Sequence, residues 1–271
     1  MRVALVQLRT PAESVSALAH AAPLVREAAA AGARLIVTPE AANLLQRDRA
    51  RLLPLLREEA DDPVARGLAD LAGDLGVWLL IGSVVIRRAD GQAVNRALLV
   101  APDGAIAARY DKIHMFDVDL PDGQRLRESA VFAPGERAVA ASVDGVRLGL
   151  SICYDLRFPA LYGALARAGA QILAIPAAFT RTTGQAHWET LLRARAIETG
   201  SFVLAAAQGG RHEDGRDTFG HSLVIGPWGE TVAALDHDDP GVLLAELDLA
   251  AVERARSAIP SLANARSFAG P

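Results

Sequence analysis

The sequence predicts a single α/β (or α+β) domain, residues 1–271, with a core of layered sheets. Apolar runs of strand length alternate with segments of helical period along the whole chain. No linker, internal repeat or low-complexity segment interrupts that alternation, so nothing marks a domain boundary. The 271 residues, 51% hydrophobic and 22% charged, are enough to bury one large core and exclude disorder or a fibrous repeat.

The elements follow in order. Arg2–Leu8 reads as a strand. Val15, Leu18, Ala22, Val25 and Ala29 then recur at helical spacing, with Gly32 as the stop. Leu35–Thr38 is a strand that ends at Pro39-Glu40. A helix over Pro63–Asp74 is stopped by Gly76, and strand Val77–Gly82 follows. Strands Ala93–Val100 and Ala105–Arg109 flank the turn signature Pro102-Asp-Gly104. From His114 to Arg137 no period is sustained, and Pro121, Gly123, Pro134 and Gly135 break the chain. An irregular segment this long is usually functional or disordered. Strands Ala138–Val143 and Val146–Ile152, a helix over Pro159–Ala168 and strand Gln171–Ile175 come next. Helix Ala186–Thr199, stopped by Gly200, leads to strand Phe202–Ala206. Strands Ser222–Ile225 and Thr231–Ala234 flank Pro227-Trp-Gly229, and Val242–Leu247 and a helix over Ala250–Ala255 close the pattern.

Composition narrows the function. The longest apolar stretch, Val77–Ile86, is broken by Gly82 and Ser83 and falls well short of the ~20 residues of a membrane span. The N-terminus has no signal-peptide pattern, so a cytoplasmic chain without a membrane partner is expected. A net charge of −4 with no basic tract argues against nucleic acid. A single cysteine, Cys153, excludes an intrachain disulfide and a multi-cysteine metal site. One basic residue, Lys112, is a lysine and all the others are arginine. A compact ammonium is chemically unlike a guanidinium, which makes that position a candidate for a role arginine cannot fill.

Cys153 closes the run Val146-Arg-Leu-Gly-Leu-Ser-Ile152, and Pro159 suits the first turn of a helix just beyond it. A sharp strand-to-helix turn exposes the thiol and aims backbone N–H groups and a helix dipole at the same spot, favouring a thiolate and a developing oxyanion. The competing reading is a small buried hydrophobe. Glu40 ends a strand where α/β sheets place their sites. Lys112 and Glu128 bracket the irregular segment. His114, His187, His212 and His221 could each supply a base to Cys153, although none carries a diagnostic motif. Neither a His-Glu-x-x-His run nor a Cys-x-x-Cys pair is present, so no metal is expected. Gly220-His-Ser222-Leu-Val224 lacks the second glycine of a serine-hydrolase elbow, and no glycine-rich phosphate loop precedes Lys112.

Together these residues resemble the nitrilase superfamily of carbon–nitrogen hydrolases. The matching stretches are Thr38-Pro-Glu40, Tyr110-Asp-Lys112-Ile-His-Met-Phe-Asp-Val-Asp119 and Glu128-Ser129. They continue through Cys153-Tyr-Asp-Leu-Arg-Phe-Pro159, His187-Trp-Glu189, Gly220-His-Ser222 and Trp228-Gly229. The resemblance implies a four-layer αββα sandwich, a catalytic Glu40–Lys112–Cys153 triad braced by Glu128, no cofactor, and a homodimer or larger homo-oligomer. Phe179-Thr-Arg-Thr-Thr-Gly184, Ala186-His-Trp-Glu189, Arg193-Ala-Arg-Ala-Ile-Glu198 and Ala205-Ala-Ala-Gln208 are most similar to the deaminated-glutathione amidase branch. Asp111, Gly200-Ser201 and Gly226 depart from the usual pattern without touching the triad.

The implied reaction is attack by Cys153 on an amide carbonyl, with Glu40 carrying the proton and Lys112 and the Tyr154 N–H as oxyanion donors. Free thiol and carboxyl pKa values differ by ~4 units, an uphill transfer of ~6 kcal/mol. Burial is expected to raise Glu40, and Lys112 with the dipole to favour the thiolate. The implied small-molecule substrate carries two carboxylates, for which Arg157 and Arg181 are candidate clamps, and Phe116, Phe179 and Thr180 are candidate pocket walls. An ω-amidase acting on 2-oxoglutaramate, an N-carbamoyl hydrolase and a catalytically silent interaction module are the alternatives.

Overall fold

Both faces of the first strand are apolar and buried: Val3 and Leu5 point one way, Ala4 and Val6 the other. A strand with no wet face belongs to the interior of a layered structure. The computed structural model describes residues 1–120, 123 and 125–270, and its layers account for this pattern. Pro121, one of the expected breakers, lies outside the described residues, as do Asp122, Gln124 and Pro271.

One six-stranded sheet contains β1 (Arg2–Gln7), β2 (Leu35–Val37), β3 (Trp78–Arg87), β4 (Ala93–Val100), β5 (Ile106–Asp111) and β16 (Gly241–Glu246), in the order β16-β1-β2-β3-β4-β5. The second contains β8 (Val139–Val143), β9 (Val146–Leu150), β10 (Ile172–Ala174), β11 (Phe202–Ala205), β14 (Leu223–Ile225) and β15 (Thr231–Ala234), in the order β15-β14-β11-β10-β9-β8. β1, β2 and β3 run parallel in one sheet, and β9, β10 and β11 in the other. Val3, Leu5, Leu35 and Val37 of the first sheet share a core with Leu148, Leu150, Ile172 and Leu204 of the second. On the other face of the first sheet, Ala4, Val6, Ile36, Leu79 and Ile81 pack with α1 (Ser14–Ala30) and α3 (Pro63–Leu75), the short α2 (Arg49–Leu52) coming between them in the chain. Helices α4 (Pro159–Arg167) and α5 (Arg181–Thr199) cover the outer face of the second sheet. The layers are therefore helix, sheet, sheet, helix, the expected αββα sandwich.

Local chemistry sets the helix ends. The Asp62 carboxylate accepts from the N–H groups of Val64 (3.0 Å) and Ala65 (2.8 Å), Pro63 occupies the first turn of α3, and Gly76 closes it at φ +65°. α5 begins at Arg181 rather than Ala186, because the Thr180 hydroxyl caps it by accepting from the Thr183 N–H. α1 turns the expected face inward with its centre shifted by about one residue. Ala17, Ala21, Val25 and Ala28 are buried, Leu18, Ala22 and Ala29 pack at the edge of the same core, and only Val15 of the expected stripe is turned out, 87% exposed. With several alanines on the helix, the stripe's exact centre is weakly marked by period.

β3 runs on to Arg87 through an irregularity between Ile81 and Val84. The segment expected to be irregular holds a short hairpin of β6 (Asp117–Asp119) and β7 (Arg125–Arg127), then a 3-10 turn over Glu128–Ala130. A second hairpin, β12 (Gly209–Arg211) with β13 (Asp217–Phe219), has no apolar alternation to announce it. Among the described residues no helix is long and apolar enough to cross a membrane.

Candidate active site

The C-terminal ends of the parallel strands in the two sheets meet at one place. Glu40 lies just beyond β2, Cys153 beyond β9, and Ala178 beyond β10. The chains pass so closely there that a Cβ on Gly82 would lie 1.9 Å from the Thr38 carbonyl oxygen and 2.5 Å from Pro176 Cβ, so only glycine fits. The Gly82 N–H donates to the Thr38 hydroxyl (3.1 Å), and the Ala41 N–H to the Ser83 hydroxyl (2.8 Å), fixing the backbone on both sides of Glu40.

Cys153 sits at φ +50°, in the left-handed region that non-glycine residues avoid, at the start of a 3-10 turn over Cys153–Arg157 that leads into α4. Its own N–H donates to the Pro176 carbonyl (2.9 Å). As the second residue of that turn, Tyr154 has no intrahelical acceptor for its N–H. Asp155 holds the turn in place. Its buried carboxylate accepts from the Ile152 N–H (2.8 Å), the Tyr110 hydroxyl (2.6 Å), the His114 N–H (3.1 Å) and His114 Nδ1 (2.7 Å). Tyr110 and His114 flank Lys112, so one carboxylate ties the thiol's turn to the lysine's segment.

Glu40, Lys112 and Cys153 are brought together and are only 6%, 2% and 7% exposed. Lys112 Nζ donates to Glu40 Oε1 at 2.9 Å and to both Glu128 oxygens at 2.9 Å. Glu40 Oε1 also accepts from Asn95 Nδ2 (2.9 Å), and Oε2 from the Ala178 N–H (2.9 Å). The Cys153 thiol lies against the Glu40 carboxylate, close enough that each shifts the other's titration. Gln208 Nε2 donates to the Glu40 carbonyl (2.9 Å), and the Phe116 N–H to Glu128 Oε2 (2.6 Å).

The electrostatics reverse one sequence expectation. Burial alone would raise the Glu40 pKa, but the Lys112 charge and the hydrogen bonds from Cys153, Lys112 and Asn95 outweigh it and hold the carboxyl below its ordinary value. Burial and the Glu40 charge push the Cys153 thiol well above its ordinary value, with Lys112 only partly opposing them. Burial works against the Lys112 charge, yet Glu128 and Glu40 together raise its pKa well above normal. These directions favour a carboxylate, a protonated thiol and an ammonium over a thiolate beside a neutral acid.

Around this centre Phe116 packs edge-on to Tyr154 (4.9 Å between ring centroids), and Phe179 lies buried against Trp188 (4.8 Å). The Arg157 guanidinium stands 5.5 Å from the Phe179 ring centroid and 6.0 Å from that of Tyr154, within 3.3 Å of His187 Nδ1. Among the described residues it has no carboxylate partner. Arg181 is different. Its guanidinium is clamped by Asp217 (2.9 and 3.0 Å) and by Asp238, so the expectation that it is free to hold a substrate carboxylate is corrected. The Thr180 hydroxyl is occupied as the α5 cap and by Thr183 Oγ1 (2.9 Å).

The histidine alternative loses its geometry. His114 pairs with Asp155 and stacks on Phe158, His187 meets Arg157, His212 bridges the Thr10 carbonyl and Thr218, and His221 turns to the Phe219 carbonyl. Among the described residues none of the four hydrogen-bonds to Cys153. Ser222 is buried, its hydroxyl donating to Gln7 Oε1 (2.9 Å). Sequence reading missed Asn95, Asp155, Ala178 and Gln208. Only Asp155, two residues from the thiol, carried a local signal.

An activated thiol could attack here, a carboxylate could relay its proton, and a fixed ammonium could stabilise the resulting oxyanion. Comparisons with known proteins agree with that chemistry. Residues 2–257 match the family described as carbon-nitrogen hydrolase. A deaminated glutathione amidase of Yersinia enterocolitica is 41% identical over 87% of this chain and 82% of its own. One of Homo sapiens is 41% identical over 95% of this chain and 80% of its own. The crystal structure of the C. elegans NitFhit protein superposes with a TM-score of 0.90 at 34% identity, covering 98% of this chain. The chain spans 65% of that polypeptide.

Proposed function

The chain belongs to the carbon–nitrogen hydrolase family, and from that premise we propose that it is a deaminated-glutathione amidase, releasing 2-oxoglutarate and Cys-Gly through a thioester on Cys153. The observation that carries the chemistry is the meeting of one thiol, Cys153, with one carboxylate, Glu40, whose Oε1 accepts from the chain's single lysine. The substrate is supported by the relatives that carry this name across most of the chain.

Cys153 attacks the amide carbonyl as its proton passes to Glu40. Because the thiol is held in its protonated form, attack requires that its proton move to Glu40. Lys112 and the Tyr154 N–H receive the oxyanion, in a buried site where such donors are worth far more than in water. On collapse the Glu40 proton goes to the leaving amine nitrogen, and the C–N bond breaks. Glu40 then takes a proton from water, the hydroxide adds to the thioester, and the thiol leaves reprotonated. Glu128 keeps Lys112 charged and fixes its direction.

Arg157, without a carboxylate partner among the described residues and framed by two aromatic faces, is placed to hold one substrate carboxylate. Tyr154, Phe116 and Phe179 line the approach. The described layers act as a single domain, in a cytoplasmic homodimer or larger homo-oligomer. Exposed Trp228 (60%) and Ile197 (53%) offer apolar surface for such contacts, and sedimentation showing a monomer at micromolar concentration would remove that part.

Parallel turnover of deaminated glutathione, 2-oxoglutaramate and an N-carbamoyl acid tests the substrate. Highest kcat/KM on deaminated glutathione is expected, because only the longer substrate can place a second carboxylate on the protein and use that binding in the transition state. Equal or better efficiency on 2-oxoglutaramate moves the chain to the ω-amidases.

A further inference from the structure

We propose that Asn95 is a positioning residue for the general base, fixing Glu40 so that only one of its two oxygens exchanges a proton with Cys153. The inference deepens the proposed reaction and rests on Glu40 being its base.

Asn95 stands in the middle of β4, where alternation puts it on the same face as Ala97 and Leu99, two buried members of the core between the sheets. It is 3% exposed. A carboxamide in that row is a poor choice for packing, since burying it strips water from two polar ends and each must find a partner. Only one end does. Nδ2 donates to Glu40 Oε1 at 2.9 Å, while the buried Oδ1 has no hydrogen-bond partner among the described residues. An apolar residue would suit the layer better, so what Asn95 contributes is that one hydrogen bond to the carboxylate.

The hydrogen bond acts on one oxygen. Glu40 Oε1 accepts from both Asn95 Nδ2 and Lys112 Nζ, two donors for its two lone pairs. Oε2 accepts from the Ala178 N–H, a group that also lies within hydrogen-bonding reach of the Cys153 sulfur. The thiol proton therefore passes to Oε2. The carboxamide and the ammonium keep the plane from turning, and Asn95 supplies a neutral donor that Lys112, shared with Glu128, does not replace. The titratable groups facing Glu40 are Lys112 from beyond β5 and Cys153 from the nucleophile turn, with Glu128 behind the lysine.

The test is the pH dependence of kcat/KM for Asn95→Leu, Asn95→Ser and Asn95→Asp, with kcat, KM and Tm measured alongside. Losing a donor to a carboxylate makes it more basic, so the acid limb moves to higher pH in Asn95→Leu, and further in Asn95→Asp, which adds a like charge. kcat is expected to fall about 10- to 100-fold in Asn95→Leu, with KM little changed. Asn95→Ser, which keeps a hydroxyl donor, recovers part of the loss. Asn95→Asp is nearly isosteric, so it reads the effect even if Asn95→Leu fails to fold. If Asn95→Asp and Asn95→Ser keep the wild-type acid limb and kcat and only lower Tm, Asn95 is structural and the proposal is overturned. Glu40→Gln is the control. If it still acylates, the underlying base assignment fails. If it is inactive while the Asn95 variants titrate like wild type, only this inference fails.

Discussion

A thiol beside a carboxylate has no useful nucleophilicity until the proton moves, and here each residue's surroundings hold the proton on sulfur. Glu40 is kept ionised by Lys112 against its own burial, and Cys153 is kept neutral by burial and Glu40. The sign for acid follows. A base whose pKa is depressed stays competent until pH falls through that lowered value, so the acid limb of kcat/KM belongs below the ordinary glutamate value of 4.5. The stability Glu40 contributes is likewise present above 4.5 and lost as pH falls through its folded value. A limb between pH 6 and 7 would point to a histidine instead. Lys112 is 2% exposed and held by two carboxylates, so amine acylation of the folded protein should spare it and reach it only after unfolding, as peptide mass spectrometry would show. Lys112→Arg should lower kcat/KM by two to three orders of magnitude, about 3–4 kcal/mol, since a planar fork cannot stand where a compact ammonium meets two carboxylates and an oxyanion. Near-normal turnover in that variant would remove the lysine from the chemistry.

At the scale of elements, the nucleophile turn is the part under tension, and Asp155 is what holds it. Replacing Asp155 with alanine strands a tyrosine hydroxyl and two backbone N–H groups in a buried place. The expected cost is about 3 kcal/mol, read as a lowered denaturant midpoint. A midpoint unchanged within error would mean the turn stands without it. The sequence located most strands and helices through apolar runs and their stops, and the family resemblance brought Glu40, Lys112, Glu128 and Cys153 together as candidates. It did not disclose Asn95, because a single polar residue within an apolar strand carries no local signature and its partner lies on another strand. Arg181 was misjudged for the matching reason: the two carboxylates that neutralise it, Asp217 and Asp238, come from distant segments. The inward face of α1 was legible apart from Val15, which lies in the first turn and is exposed.

At the scale of the whole molecule, the two sheets matter because each brings half of the site. The first supplies Glu40, Asn95 and Lys112, and the second supplies Cys153 and the Ala178 N–H, over a core shared between them. The order of motifs along the chain made the sandwich legible. The electrostatic balance at the junction was not, because it depends on how deeply Glu40, Lys112 and Cys153 are buried together, with Glu128 beside the lysine. In the proposed reaction an amide carbonyl becomes covalently bound to Cys153 during turnover. Rapid acid quench of the protein mixed with deaminated glutathione, followed by intact-mass and peptide mapping, tests this directly. The 2-oxoglutaryl group should appear on the peptide containing Cys153, form within the first turnover, and be absent in Cys153→Ala and Glu40→Gln. Full turnover by Cys153→Ala, or an acyl group mapped to any other residue, would contradict the account.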